Sequence, residues 1–312
     1  MIETWVVVTV AAALLQASRT ALQQRLRGLL SVQGAGFVRY AYGAPVSLTA
    51  LAAVALLPAD GPIPAGLPAL SMTHALWCAV AGVAQILGTN LLIMSFGARG
   101  FAVGTVYSKA ETVIVALVGW AVLGEALAVT AWAGILVCMA GVAVLATRGS
   151  RDGVAALLRG AGDKAALYGL GAGAMFAVAS VCIRAGALGL GDGPAFPRAI
   201  ATLAVMNTIQ AVLMGAWLVA REPATFVAVF RTWRSSAVVG LLSVTGSAGW
   251  AWAMTLETAA LVRAFGQVEL VFTLIMGRLL LGERPKAADI PGSVAVIAGV
   301  LLVLLARAPN PG

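Results

Sequence analysis

Three charged residues interrupt long apolar stretches of this chain: Lys109, Glu111 and Glu269. A charged side chain inside a membrane is costly, and it usually faces a cavity, a pathway or a partner charge. A carboxylate held away from water also takes up a proton more readily than one in water. These residues therefore indicate proton exchange or the binding of a cationic solute group. The structural alternative is an ion pair that joins the two halves of the chain.

The spacing of these charges limits which of them can form an ion pair. Residues two positions apart on a helix point about 200° away from each other, so Lys109 and Glu111 face apart. We therefore expect Lys109 to pair with Glu269, which leaves Glu111 freer to titrate. Gln267 occupies the position equivalent to Lys109. Arg263, one helical turn before Gln267, is predicted either to bind a substrate carboxylate or phosphate or to snorkel to the membrane surface.

Further polar and aromatic side chains in the apolar runs are candidates for lining a solute cavity. Their amide, guanidinium, hydroxyl or indole groups need hydrogen-bond partners in hydrocarbon. Bonds between helices and ordinary aromatic packing are the alternative interpretation. The residues are Tyr107, Trp250, Gln16, Arg19, Gln85 and Asn90.

The composition excludes most soluble classes. Of 312 residues, 61% are hydrophobic and only 10% are charged, whereas soluble domains carry about a quarter charged residues. Too little polar surface remains for a water-soluble globule, and a disordered chain, a coiled coil or a disulfide-rich domain is equally excluded. A membrane-spanning helix needs about 20 apolar residues, so the chain is long enough for about ten.

Apolar runs separated by polar or Gly/Pro breaks predict ten spans in an all-α membrane protein. The longest connection, 148–164, divides the chain in half. The predicted spans are 4–23, 34–57, 74–96, 101–123, 126–147, 165–189, 195–220, 236–256, 259–281 and 287–306.

The net charge of +8 follows membrane topology. Basic residues between spans lie almost entirely in the connections that share a side with 148–164. By the positive-inside rule this central loop is predicted to be cytoplasmic, with both termini outside. No Lys/Arg-rich tract with interleaved aromatics is present in the sequence, so we expect no nucleic-acid partner.

The sequence predicts neither a metal site nor a cofactor. Cys78, Cys138 and Cys182 each lie in an apolar run and are interpreted as small buried hydrophobes. The single histidine, His74, is expected at the membrane interface at the start of the third span.

The two halves of the chain repeat. Residues 111–148 align without gaps to 269–306, and each half holds five predicted spans. An odd number of spans forces the second copy into the membrane upside down, and inverted repeats are typical of secondary transporters. The predicted domains are 1–148 and 165–312, joined by the basic loop 149–164. The matching motif residues are Gly124, Glu125, Gly134 and Gly141 in the first half and Gly282, Glu283, Gly292 and Gly299 in the second.

A helical hairpin with Leu-Gly-Glu at its turn, followed by glycines seven residues apart, resembles the EamA-type repeat of the drug/metabolite transporter superfamily. The resemblance implies ten helices, as two inverted five-helix repeats, around a central cavity. It also implies transport, often export, of metabolites or drugs. Many members carry Glu-Pro in the fourth helix of each repeat, whereas Thr112 and Leu270 follow the glutamates here, so no proline kink is expected.

The Leu-Gly-Glu turn and the paired glycines have a structural interpretation in this chain. Glu125 and Glu283 are expected to complement the dipole at the start of the following helix. The paired glycines are expected to allow close helix contact, either within the chain or at a homodimer interface.

These observations favour a secondary transporter of a small metabolite, amino-acid-like solute or drug in the bacterial inner membrane. Export by alternating access is expected, with proton coupling as one option, and no enzymatic activity. The alternatives are a non-transporting scaffold or receptor and an integral-membrane lipid-modifying enzyme. The scaffold gives no reason to bury three charges, and the enzyme requires a nucleophile–base or metal set that the sequence does not contain. Expected partners are the solute, the lipid bilayer and protons.

Overall fold

A computed structural model describes residues 3–26, 30–56, 68–99, 106–147, 155, 163–281 and 289–306. Within these ranges the secondary structure is helical, with no strand. The α-helices are α1 Thr4–Leu26, α2 Val32–Leu56, α3 Met72–Arg99, α4 Glu111–Leu123, α5 Val129–Thr147, α6 Lys164–Leu188, α7 Ala195–Arg221, α8 Pro223–Arg231, α9 Trp233–Leu256, α10 Ala259–Phe265, α11 Glu269–Leu281 and α12 Ile290–Leu305. A 3₁₀ helix, Gly266–Val268, connects α10 to α11.

Seven stretches of the described residues are long and apolar enough to cross a membrane, by length and composition. They are Met72–Ser95, Val106–Leu123, Val129–Thr147, Lys164–Leu188, Ala195–Arg221, Trp233–Leu256 and Ala259–Met276. The helix α12 is apolar but shorter, with 16 residues. The prediction of an all-α membrane protein is confirmed, and the full count of ten spans and the inverted repeat stay predictions.

The chain forms two compact units. The first comprises residues 1–83, 182–257 and 279–281, and the second comprises 84–181, 258–278 and 282–312. Each unit takes segments from both halves of the sequence, and α3 and α6 each contribute to both units. The predicted division at the central loop stays a prediction, because most of 148–164 lies outside the described residues.

The first unit is built on α9, which packs against α1 and α2, while α7 also contacts both α2 and α9. In its interior His74 is only 1% exposed, and its Nε2 lies 3.2 Å from the Thr202 hydroxyl and 3.4 Å from the Cys78 sulfur. The predicted position of His74 at the membrane interface stays a prediction, and its side chain is buried within the protein. His74 is the third residue of α3, and there it faces the buried Thr202 of α7.

The second unit contains a close contact between α5 and α12. A Cβ added at Gly134 would lie 2.8 Å from the Gly299 carbonyl oxygen, and one at Gly141 would lie 2.7 Å from the Val296 nitrogen. Gly292 likewise faces the Gly141 carbonyl. The glycines therefore let two backbones touch within the chain, and an interhelical contact of this kind is what small residues permit in membranes.

The Leu-Gly-Glu turn ends α4. Gly124 adopts φ +70°, the left-handed conformation that glycine adopts without steric cost, and its N–H donates to the Trp120 carbonyl. Glu125 lies before the first turn of α5, which begins at Val129 and contains no acidic residue. The expected dipole contact of Glu125 stays a prediction. Gly282 and Glu283 lie outside the described residues.

Candidate functional site

The helix that carries Glu111 is interrupted just before this residue. The N–H of Lys109 donates to the Val106 carbonyl at 3.1 Å, and the N–H of Ala110 donates to the Tyr107 carbonyl at 3.2 Å. The N–H of Thr112 donates to the Lys109 carbonyl at 3.1 Å. Bonds between residues three apart tighten the chain into a 3₁₀-like turn, and the regular helix α4 begins only at Glu111.

The same interruption precedes Glu269. Here α10 ends at Phe265, the 3₁₀ helix covers Gly266–Val268, and α11 begins at Glu269. These breaks arise without the proline that follows the glutamate in many EamA-type sequences. A 3₁₀ segment breaks the regular hydrogen-bond ladder without proline.

Both glutamates consequently occupy the first turn of a short helix inside an apolar stretch. At Glu111 the backbone stays hydrogen-bonded through the break, since the N–H of Thr112 donates to the Lys109 carbonyl.

Glu111 forms an ion pair with Arg263 of α10. The Arg263 Nε lies 2.8 Å from the Glu111 Oε1, and the two side chains are only 17% and 10% exposed, respectively. The same Nε donates to the Ser180 hydroxyl at 2.9 Å. Because Nε carries one hydrogen, Glu111 Oε1 is held by charge and has no hydrogen-bond donor among the described residues.

Gln267, on the 3₁₀ segment, lies beside this ion pair. Its Nε2 donates to the Thr112 hydroxyl at 3.1 Å and to the Arg263 carbonyl at 3.2 Å. The residue is 5% exposed, and its Oε1 has no donor in the part of the chain that the structure describes. Two buried acceptor oxygens without a described donor, Glu111 Oε1 and Gln267 Oε1, thus belong to residues that contact Arg263.

Helix α6 holds the broken segment in place. A Cβ on Gly173 would lie 2.7 Å from the Ser108 carbonyl oxygen and 3.0 Å from the Glu111 nitrogen, so only glycine allows this approach. Ser180, on the same face two turns later, is fully buried and bonds Arg263. Sequence reasoning missed Gly173, Ser180 and Thr112. The seven-residue spacing of Gly173 and Ser180 is the one signal that places them on a common face.

The structure corrects the predicted charge pattern at one point. Glu111, expected to be the freer carboxylate, is paired, and its partner Arg263 neither snorkels nor stands apart from it. The pairing of Lys109 with Glu269 stays a prediction. Lys109 and Tyr107 lie half-buried on the turn before Glu111, and Glu269 is half-buried at the start of α11.

A protein-family model matches the second half of the chain. Residues 163–305 match the model of the EamA-like transporter family. The predicted resemblance is confirmed for these residues, and the chain is a multi-pass membrane protein.

One solved crystal structure shares the fold of the whole chain. Its TM-score is 0.70 at 17% sequence identity, over 97% of this chain and 98% of that one. At 17% identity this similarity supports a shared fold and nothing further. No curated protein sequence matches the chain.

The residues that match the family model supply most of the second unit's polar cluster. Arg263, Gln267, Gly173 and Ser180 lie inside the matched residues, whereas Glu111 comes from the preceding half of the chain. A part of the chain that the domain match does not cover therefore completes the ion pair.

The remaining candidates divide between the two units. In the first unit the Trp250 indole N–H donates to Gln16 Oε1 at 3.0 Å, and Trp250 is 6% exposed. Arg19, one turn after Gln16, contacts the Thr20 hydroxyl at 3.3 Å. Both interactions favour interhelical or local bonding for these residues.

The other two candidates, Gln85 and Asn90, are half-buried on the part of α3 that belongs to the second unit. The backbone carbonyl of Gln85 accepts from the Thr89 hydroxyl at 2.8 Å. The described residues contain no group of three His, Cys, Asp or Glu that could hold a metal ion.

Proposed function

We propose that this protein is a secondary transporter that exports a small organic solute across the bacterial inner membrane by alternating access. The solute class that fits best is an amino-acid-like metabolite or a drug with a polar head. The observation that carries the proposal is the ion pair between Glu111 and Arg263, buried at a helix break.

The energetics of this pair support a working role. Burying two charges costs several kcal/mol of desolvation per ion, which the mutual attraction offsets only with good geometry and hydrogen bonds. Here Glu111 Oε1 has no donor among the described residues, so the pair is poorly optimised for stability. Apolar side chains would hold α4 and α10 together at lower cost, which favours a function for the charges.

The broken helices support the same proposal. In secondary transporters, substrate sites near the bilayer midplane are typically formed by discontinuous helices whose exposed backbone ends and dipoles bind charged groups. Two apolar stretches of this chain are interrupted in this sense, by the 3₁₀ turns before Glu111 and Glu269. A scaffold or receptor would have no need of two such breaks.

Proton coupling is proposed at Glu111, since a carboxylate that lacks a donor can take a proton on that oxygen. The remaining assignments rest on the sequence. The bias of basic residues supports a cytoplasmic central loop, 148–164, and the EamA-type resemblance supports export. A homodimer is compatible with the apolar outer surfaces, for example at Leu56 and Val129, which are 86% and 85% exposed.

Solute flux through proteoliposomes tests the proposal. Purified protein is reconstituted with a mixed pool of amino acids, organic acids and amines inside, and their release is followed by mass spectrometry with and without a proton gradient. We expect release of one solute class, reduced at least tenfold by Glu111→Gln. Glu125→Gln, which removes a carboxylate at the hairpin turn, is the matched control and should transport normally. Vesicles that release nothing beyond the protein-free background would contradict transport.

A further inference from the structure

The ion pair between Glu111 and Arg263 constrains the charge of whatever binds there. We infer that this site accepts only a net-neutral load: a zwitterion by itself, or a monocarboxylate together with one proton on Glu111. This inference rests on the proposed function and deepens it. It adds the charge class of the substrate and the number of protons bound together with the substrate.

The first step is the asymmetry between the two charges. Arg263 stays protonated in a protein, whereas Glu111 can be neutralised by one proton. A buried charge that loses its partner is strongly unfavourable. A ligand that takes Arg263 away from Glu111 must therefore bring a positive group for Glu111, or Glu111 must take up a proton.

The second step is the pattern of donors. Arg263 Nε uses its one hydrogen on Ser180, so Glu111 Oε1 is left without a donor in the described residues, and so is Gln267 Oε1. An ammonium group supplies several N–H donors, and a proton on Glu111 turns this acceptor into a donor. A zwitterionic amino acid matches the ion pair, with its carboxylate toward Arg263 and its ammonium toward Glu111.

The third step is the charge of the surroundings. Among the elements that pack on the pair, the 171–181 stretch of α6 and the whole of α12 contain no ionisable side chain, and α5 contributes only Cys138. The turn before Glu111 contributes Tyr107 and Lys109, and the start of α11 contributes Glu269. Lys109 and Glu269 have opposite charges, so the described residues around the pair supply no net charge that would offset an unbalanced ligand.

A monocation is the excluded class. It would add a second positive charge next to Arg263, which cannot release its own proton. A monoanion without a proton is excluded for the converse reason, because Glu111 would keep its charge after losing Arg263. Net-neutral binding follows from these two exclusions.

Two sets of matched compounds test the rule on the purified full-length protein. One set is leucine, 4-methylpentanoate and 3-methylbutylamine; the other is phenylalanine, 3-phenylpropanoate and 2-phenylethylamine. Within each set the carbon skeleton is held and only the charged groups change. Binding is measured by calorimetry at pH 6 and pH 8, in buffers of different ionisation enthalpy, which gives the number of protons bound with each ligand.

We expect the amino acid to bind with no proton uptake and with equal affinity at both pH values. The carboxylate should bind with about one proton and lose affinity by about tenfold per pH unit as the pH rises, because its bound form carries one more proton than the free protein. The amine should bind at least tenfold more weakly than the amino acid. In Glu111→Gln the carboxylate should bind without proton uptake, and in Arg263→Gln its binding should be lost. Glu125→Gln should behave as the native protein.

Several outcomes would overturn the inference. Amine binding as tight as that of the amino acid is one, and carboxylate binding without proton uptake in the native protein is another. If the vesicles transport a solute yet no member of either set binds, or if binding is unchanged by both substitutions at the pair, the net-neutral rule fails while transport stands. If the vesicles transport nothing, the proposed function fails first.

Discussion

The ion pair between Glu111 and Arg263 should dominate the energetic response of the second unit to mutation. At the observed separation of 2.8 Å between Nε and Oε1, two unit charges attract each other by about 6 kcal/mol at an effective dielectric constant of about 20. Desolvation offsets most of this attraction, so the net value of the pair is small. The cost of leaving one charge without its partner is about 3–5 kcal/mol.

Neutralising either partner alone should therefore lower the free energy of unfolding strongly, and neutralising both should not lower it further. We expect Glu111→Gln to lower the free energy of unfolding by about 3 kcal/mol, because Arg263 keeps a charge that it cannot lose. Arg263→Gln should cost less, since Glu111 can take a proton. The double variant should cost no more than Glu111→Gln, which gives a coupling energy of about 2–3 kcal/mol.

Equilibrium unfolding of the reconstituted protein in mixed micelles, with a double-mutant cycle, measures these values. Glu125→Gln, combined with Arg263→Gln, provides the control cycle and should be additive within about 0.5 kcal/mol. If the Glu111 and Arg263 effects also add, the two charges do not interact in the folded protein and the reasoning is refuted.

The glycine contacts give three further predictions. Gly173→Ala should destabilise the protein by about 1–3 kcal/mol and reduce solute flux, because the new methyl group meets the backbone of Ser108 and Glu111. The control is Gly36→Ala, where an added Cβ has nothing within 4 Å, and this variant should gain up to about 1 kcal/mol of helix stability. Gly141→Ala should lower the thermal midpoint by forcing α5 away from α12, and an unchanged midpoint would contradict the close backbone contact. Gly124→Ala should cost about 1–2 kcal/mol for its left-handed φ alone, in open space, as measured by chemical unfolding.

Much of the fold could be predicted from composition and from the spacing of polar residues. Apolar runs longer than a bilayer require helices, since every backbone N–H and C=O must be satisfied within its own segment in hydrocarbon. The helices α5 and α9, for example, fall close to their predicted spans. Composition specifies lengths but not interruptions, so the 3₁₀ segment Gly266–Val268 was not predicted.

Three of the predicted site residues lie together in the structure: Glu111, Arg263 and Gln267. Glu111 and Arg263 were selected as charges inside apolar runs, and Gln267 as the position equivalent to Lys109. The partner of Glu111 could not be chosen, because helical spacing gives the face of a residue but not which distant helix lies against that face. Ser180 carried no signal of its own, since a single hydroxyl in a helix can satisfy itself on its own backbone, as Ser180 also does with the Phe176 carbonyl.

The sequence by itself determined that this is a membrane protein, that its Leu-Gly-Glu motif occurs twice, and that a few charges need an explanation beyond hydrophobicity. The tertiary structure decided where those charges meet. Gly173 lets α6 reach the broken backbone before Glu111, and α10 then carries Arg263 to within 2.8 Å of the carboxylate. The physical reason is that desolvation acts on each charge separately, so a charge inside an apolar run can be recognised from the sequence. Pairing depends on distances between segments, which only packing sets.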